Sequence, residues 1–184
     1  MRTTPHLLAA IVLLSACSGG DTTANSSPSY SQIRIDATRT SSEAKDLAAL
    51  RQATAKFHDK DASAADGYDT QFPAGCFSSP DGGMGYHFLK GSNVGTLDPS
   101  RPQFVMYEPQ KNGQMRLVGV EFIYPGLPTD PTPYLFGQPF QYNYTFSVWA
   151  LHVWAWDENP AGIYANWNPK VSCSYATTVA TMVH

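Results

Sequence analysis

His58, His87, Glu121 and His152 are of the types that hold metals or move protons, and their settings demand partners. The 184-residue chain has five histidines. His6 lies in an apolar leader and His184 is the last residue. The other three fall in segments that read as regular elements. His87 follows Gly82-Gly83-Met84-Gly85-Tyr86, and His152 sits inside Trp149-Ala150-Leu151-His152-Val153-Trp154. Glu121 interrupts the apolar run Leu117-Val118-Gly119-Val120-Glu121-Phe122-Ile123. A polar group buried without a partner costs roughly 1–3 kcal/mol, so groups in such runs imply something to pair with.

Imidazole and carboxylate are common ligands of Zn, Cu and non-haem Fe. Three nitrogens and one oxygen suit Zn, or Cu(II) and Fe in less tetrahedral geometry. With three groups engaged, a position stays open for water or substrate. Asp61 would orient His58 from behind, and Met84 would add a soft ligand for Cu(I). No HxH, HExxH or CxxC spacing occurs, so the ligands must converge through the fold.

Each residue also has a plainer reading. His58, His87 and His152 could be hydrogen-bonded structural histidines. Glu121 could face solvent, paired with Arg116 or Lys90. The ten Tyr, nine Phe and four Trp cluster from Tyr134 onward. They suggest an alternative function, a non-catalytic cell-envelope binding module with an aromatic surface. The chain has no GxSxG elbow and no phosphate loop.

These residues need elements to position them. Thr40-Ser41-Ser42-Glu43 has capping-box spacing. Leu47, Leu50, Thr54, Phe57, Asp61 and Ala65 then recur at helical steps as far as Gly67. That pattern predicts one helix with Asp61 on its apolar stripe and His58 at the edge. Beyond Gly67, Pro, Gly, Asn and Asp punctuate strand-like runs at Gly85–Leu89, Gln103–Glu108, Arg116–Tyr124 and Tyr144–Trp156. Asn112-Gly113 predicts a hairpin between the second and third. Within Arg116–Tyr124, alternation puts Glu121 with Leu117, Gly119 and Ile123, opposite Val118, Val120, Phe122 and Tyr124. The run Tyr144–Trp156 is apolar on both faces and predicts one central strand. The expected fold is α+β: one long N-terminal helix packed on a curved, mainly antiparallel β-sheet, in a single domain over 40–184.

The start of the chain predicts export. Met1-Arg2 precedes the apolar run Leu7–Leu14, too short to span a bilayer. Leu14-Ser15-Ala16-Cys17 resembles a bacterial lipobox. The expectation is a signal peptide over 1–16, lipidation of Cys17, and a flexible tether over 17–39 rich in Ser, Thr, Gly and Asn. Ser18, in place of Asp, favours the outer membrane, facing the periplasm. Removing 1–16 leaves 11 basic and 15 acidic side chains. With no basic stripe, nucleic acid is excluded as a partner, leaving a small molecule or an envelope component. Cys76 and Cys173 are expected to form a disulfide in that oxidising compartment. The alternative role for either is metal ligand or reactive thiol.

The ordered blocks Lys56-Phe57-His58-Asp59, Gly82-Gly83-Met84-Gly85-Tyr86-His87, Leu117 to Phe122, Leu151-His152-Val153-Trp154 and Asn159 to Cys173 resemble a family of exported bacterial proteins of unassigned function. The resemblance covers roughly residues 50–173. It implies export and one domain, and carries no catalytic role.

Overall fold

The computed structural model describes residues 30–181, with side chains from 40 to 180. The leader, Cys17 and the tether as far as residue 29 lie outside the described residues. Helix α1 (Tyr30–Thr54) gives way to a 3-10 turn (Ala55–His58) and a short helix α2 (Lys60–Ala65). One helix running on to Gly67 is therefore corrected to two with a break. The break has a local cause. Asp59 leaves the helical region (φ −86°, ψ 113°), and its carboxylate accepts from the Asp61 and Ala62 amides. It thus acts as a new N-cap. Gly67 (φ +99°) ends α2 as expected.

Ten strands follow: β1 (Thr70–Gln71), β2 (Cys76–Ser79), β3 (Gly82–Leu89), β4 (Phe104–Pro109), β5 (Met115–Pro125), β6 (Tyr134–Leu135), β7 (Gln138–Pro139), β8 (Gln141–Asn143), β9 (Val148–Val153) and β10 (Val179–Thr181). Eight of them form one strongly curled half-barrel in the order β10-β2-β3-β4-β5-β9-β8, with β1 also on β3. All its pairings are antiparallel except β10 with β2. Strands β6 and β7 form a separate pair. The fold is mixed α+β.

The expected single strand Tyr144–Trp156 is corrected to β9 alone, with a turn before it. The Asn143 side chain accepts from the amides of Thr145 and Phe146, and Ser147 adopts φ +53°. This side-chain turn reverses the chain, so β8 pairs back onto β9. At the far end Trp154 donates its amide to Ile163, and Trp156 and Asp157 donate theirs to Val118. Those bonds carry the chain out of the ladder.

The two faces of the half-barrel do different work. One packs against the helices through Val105, Tyr107, Val120, Phe122, Leu151 and Val153, joined by Leu50 and Phe57. Burial of each such side chain contributes about 1.5–3 kcal/mol. Tyr107 also donates its hydroxyl hydrogen to the Phe57 carbonyl, tying sheet to turn. The other face carries Glu121 and two of the histidines.

Two β-bulges decide which residue reaches which face. Between β4 and β5 the register slips by one residue, so that Met106 pairs Gly119 while Tyr107 pairs Leu117. Val118 is the extra residue. Because a one-residue slip swaps faces, Leu117 joins the helix-side core while Glu121 points away from it. The expected alternation, with Leu117 beside Glu121 and Val118 in the main core, is corrected by this bulge. Val118 packs instead with Met106, Trp154 and Val171. Between β2 and β3 the extra residue falls at Met84–Gly85, where Gly85 has φ +84°. That bulge lets Met84 and His87, three apart, line the same cavity.

Cys76 and Cys173 are joined, 97 residues apart in sequence, as expected. Closing a loop of that length contributes about 4–5 kcal/mol in the chain-entropy model. The bridge holds the C-terminal segment beside β2, where the glycines of β3 admit a second backbone. Gly83 exchanges two backbone hydrogen bonds with Asn168, and a Cβ on Gly83 would stand 2.6 Å from the Val171 carbonyl oxygen.

Candidate metal centre

His87 comes from β3, Glu121 from β5 and His152 from β9. Glu121 and His152 are direct cross-strand partners. His87 is two strands away from Glu121, across β4, where its neighbour is Met106 and where Phe104 pairs with Glu121. Flat strands would hold them about 10 Å apart. The curl of the half-barrel brings them together. His87 Nε2 lies 3.6 Å from Glu121 Oε2, and His152 Nε2 lies 3.6 Å from Glu121 Oε1. One ligand atom from each residue falls within 4.8 Å of the others.

All three are buried: His87 is 3 % exposed, His152 4 % and the Glu121 side chain 12 %. Yet they do not satisfy one another. At 3.6 Å the imidazole–carboxylate separations exceed the 2.7–3.2 Å of a good hydrogen bond. Among the described residues, His87 Nδ1 and both nitrogens of His152 have no hydrogen-bond partner. The Gly85 backbone and the Asn166 side chain lie near enough to favour the charged forms slightly, without hydrogen bonds of good geometry. Neither basic residue that might have paired with Glu121 does so. Arg116 bridges Glu108 and Asp157, and Lys90 holds Asp66.

Burial sets the protonation. It pushes the Glu121 carboxyl up to about 8. It pushes His87 down to about 3, helped by the neighbouring His152, and His152 down to about 4 against a small opposing effect of Asn166. At neutral pH the metal-free trio is therefore a carboxylic acid between two neutral imidazoles. A divalent cation would supply the positive charge that lets Glu121 ionise.

His58 does not join this cluster. It lies exposed at the end of the 3-10 turn, edge-on to the Trp156 ring at 4.6 Å. The helices pack on the opposite face of the sheet, so no residue of that turn can reach Glu121. Asp61 is exposed on α2, where its amide meets the Asp59 cap; it does not back a ligand. Met84 does line the cavity in front of the trio.

That cavity measures about 110 Å³. His87, Glu121 and His152 form part of its lining, with Phe77, Phe104, Ile123, Phe146 and Val148 among the rest. Phe77 and Phe104 went unassigned in the sequence, whereas Ile123 lies on the face of Glu121 as alternation predicts. A signal for Phe104 existed, because pairing outward from Asn112-Gly113 as a two-residue turn puts it opposite Glu121.

No protein-family model, curated protein or solved structure matches the chain.

Proposed function

We propose that this is a lipid-anchored envelope protein that binds a divalent transition-metal ion through His87 Nε2, His152 Nε2 and a carboxylate oxygen of Glu121. The observation that carries the metal is the set of buried imidazole nitrogens, unpartnered around a buried carboxyl. Three such orphans would cost several kcal/mol together, and an ion beside Glu121 relieves one of them, His152 Nε2. Tetrahedral bonds near 2.05 Å place ligand atoms about 3.3 Å apart; here each Nε2 lies 3.6 Å from a different Glu121 oxygen and the three ligand atoms fall within 4.8 Å, so small ring movements would close the set on an ion. Two imidazoles and one carboxylate suit Zn, and equally Fe(II) or Cu(II). Three protein ligands leave a coordination position for water or substrate, the arrangement of catalytic rather than structural sites. The Gly85 carbonyl and the Asn166 side chain are placed to steady the remaining nitrogens once the rings are fixed.

Protein purified without chelator is expected to hold one metal equivalent by elemental analysis. His87→Ala and His152→Ala should each lose it. Added Zn at a hundred times Kd should stabilise the parent by about 2.7 kcal/mol. Metal-free protein whose melting temperature is indifferent to Zn, Fe(II) and Cu would sink the reading.

The anchor rests on the leader and Cys17 alone. Cys17→Ser is expected to move the protein from the membrane fraction to the soluble fraction on cell fractionation. Continued sedimentation with membranes would argue against lipidation.

A further inference from the structure

The metal trio opens onto a cavity whose walls are apolar, and size and polarity together define what it admits. We propose that the cavity binds a monocyclic phenol, with the ring among the phenylalanines and the oxygen on the metal. This rests on the metal reading above and names the class of molecule that reading leaves open.

Size comes first. An apolar cavity of about 150 Å³ accommodates benzene; this one measures about 110 Å³ and is open on one side. Its walls have room for no more than one six-membered ring, with any larger remainder left outside the opening. Wall chemistry comes second. Phe77, Phe104, Phe146, Ile123, Val148 and Met84 offer neither charge nor a hydrogen bond, and no Lys or Arg lines the space. Phosphates and sulfonates would find no counter-charge beyond the ion itself. The polar wall group outside the trio is Asn143, whose carbonyl oxygen is already engaged by the turn it caps.

Ring geometry comes third. Phe146 stands edge-on to Phe77 at 6.4 Å and to Phe72 at 6.2 Å, and His87 stands edge-on to Phe77 at 5.7 Å and to Phe104 at 5.9 Å. An aromatic guest extends this edge-to-face packing in a way an aliphatic ring does not. The floor comes last. A ligand that filled only the apolar part would leave the open metal position unused. A phenol satisfies both, its ring against the walls and its oxygen as the fourth ligand.

The test uses full-length protein loaded with Co(II), whose visible bands report coordination. Phenol is expected to shift those bands saturably. Toluene, which has the ring without the oxygen, and cyclohexanol, which has the oxygen without the aromatic ring, should each bind at least tenfold more weakly by calorimetry. Ile123→Phe and Val148→Phe each put a side chain into the cavity. Both should keep one metal equivalent and lose phenol binding at least tenfold; retained metal shows that the variant is folded.

Metal uptake with no phenol-dependent change overturns the phenol assignment and leaves the metal centre standing. Equal binding of toluene or cyclohexanol overturns it as well, removing either the coordination or the aromatic preference. Failure to take up any metal removes the centre and the assignment together.

Discussion

Between pH 6.5 and 8, chelator-treated parent is expected to lose up to about 4–8 °C in melting temperature relative to Glu121→Gln protein. The Glu121 carboxyl is pushed up to about 8 from an ordinary value of 4.5. Between those values the folded protein keeps a proton that the unfolded chain releases. Stability is therefore greatest below the unfolded value and is lost as pH rises through the folded one. The imidazoles act in the opposite sense. Their folded values, about 3 for His87 and about 4 for His152, lie below the ordinary 6.5. The unfolded chain takes up protons that the folded one refuses, so their contribution is present above 6.5 and lost as pH falls.

Two imidazoles outweigh one carboxyl below pH 6.5, and above it their fading slope is shared by parent and variant. The metal-free parent is thus most stable near pH 6.5. Relative to the variant, the Glu121 proton costs about 1.4 kcal/mol per pH unit, up to roughly 2 kcal/mol by pH 8. For a domain of this size that is about 4–8 °C. Glutamine has no proton to lose, so its curve carries the imidazole slope alone and rises slightly.

The same substitution harms metal binding. Structural zinc sites gain about 10–16 kcal/mol over four ligands, so one charged ligand is worth roughly 3–4 kcal/mol, a loss of several hundredfold in affinity. In the parent, metal displaces the Glu121 proton, so affinity should climb about tenfold per pH unit between pH 6.5 and 8. The variant should show no such climb. Melting curves across pH in chelator, and competition titrations with Zn, check both halves. A parent whose melting temperature tracks that of the variant from pH 6.5 to 8 would mean Glu121 is ionised without metal, and the account of the site would fall.

Much of this site could be read before the fold. His152 was legible because its run is apolar on both sides, so the ring had to be buried wherever the strand lay. Glu121 was legible as a polar interruption, and Val120 and Phe122 opposite it did join the helix-side core. His58 failed for a reason that sequence periodicity does not carry. Its position on a helical stripe says how near it is to the core, but not which face of a sheet the helix covers. The two bulges were illegible for a related reason. Leu117 and Val118 are both apolar, so nothing in their types shows that the register slips between them, and alternation counted through the bulge misplaces both. The split of Tyr144–Trp156 was written in Asn143, a residue suited to turns, but aromatic β-propensity masked it. The disulfide followed from compartment and arithmetic alone.

Gly85→Ala is expected to be the most damaging small substitution near the site, costing about 2–5 kcal/mol, and Gly113→Ala is its control. The two glycines have nearly the same backbone conformation, φ +84° and φ +81°. Either alanine therefore pays a left-handed penalty of about 1–2 kcal/mol. Their surroundings differ completely. Gly113 ends the hairpin loop, and a Cβ there meets nothing within 4 Å. A Cβ on Gly85 falls against the Tyr107 carbonyl, 2.9 Å from its carbon. That obstacle is backbone of the adjoining strand, hydrogen-bonded in the sheet and unable to step aside as a side chain would. Relieving it means moving β3 away from β4 or unwinding the bulge, which adds about 1–3 kcal/mol. Either movement displaces His87, two residues on, from Glu121. Gly85→Ala should thus lose both stability, by denaturant titration, and the metal-dependent rise in melting temperature. Gly113→Ala should lose only about 1–2 kcal/mol and keep its metal. Equal losses in the two variants would show that backbone conformation alone matters at Gly85, and that the bulge does not aim His87.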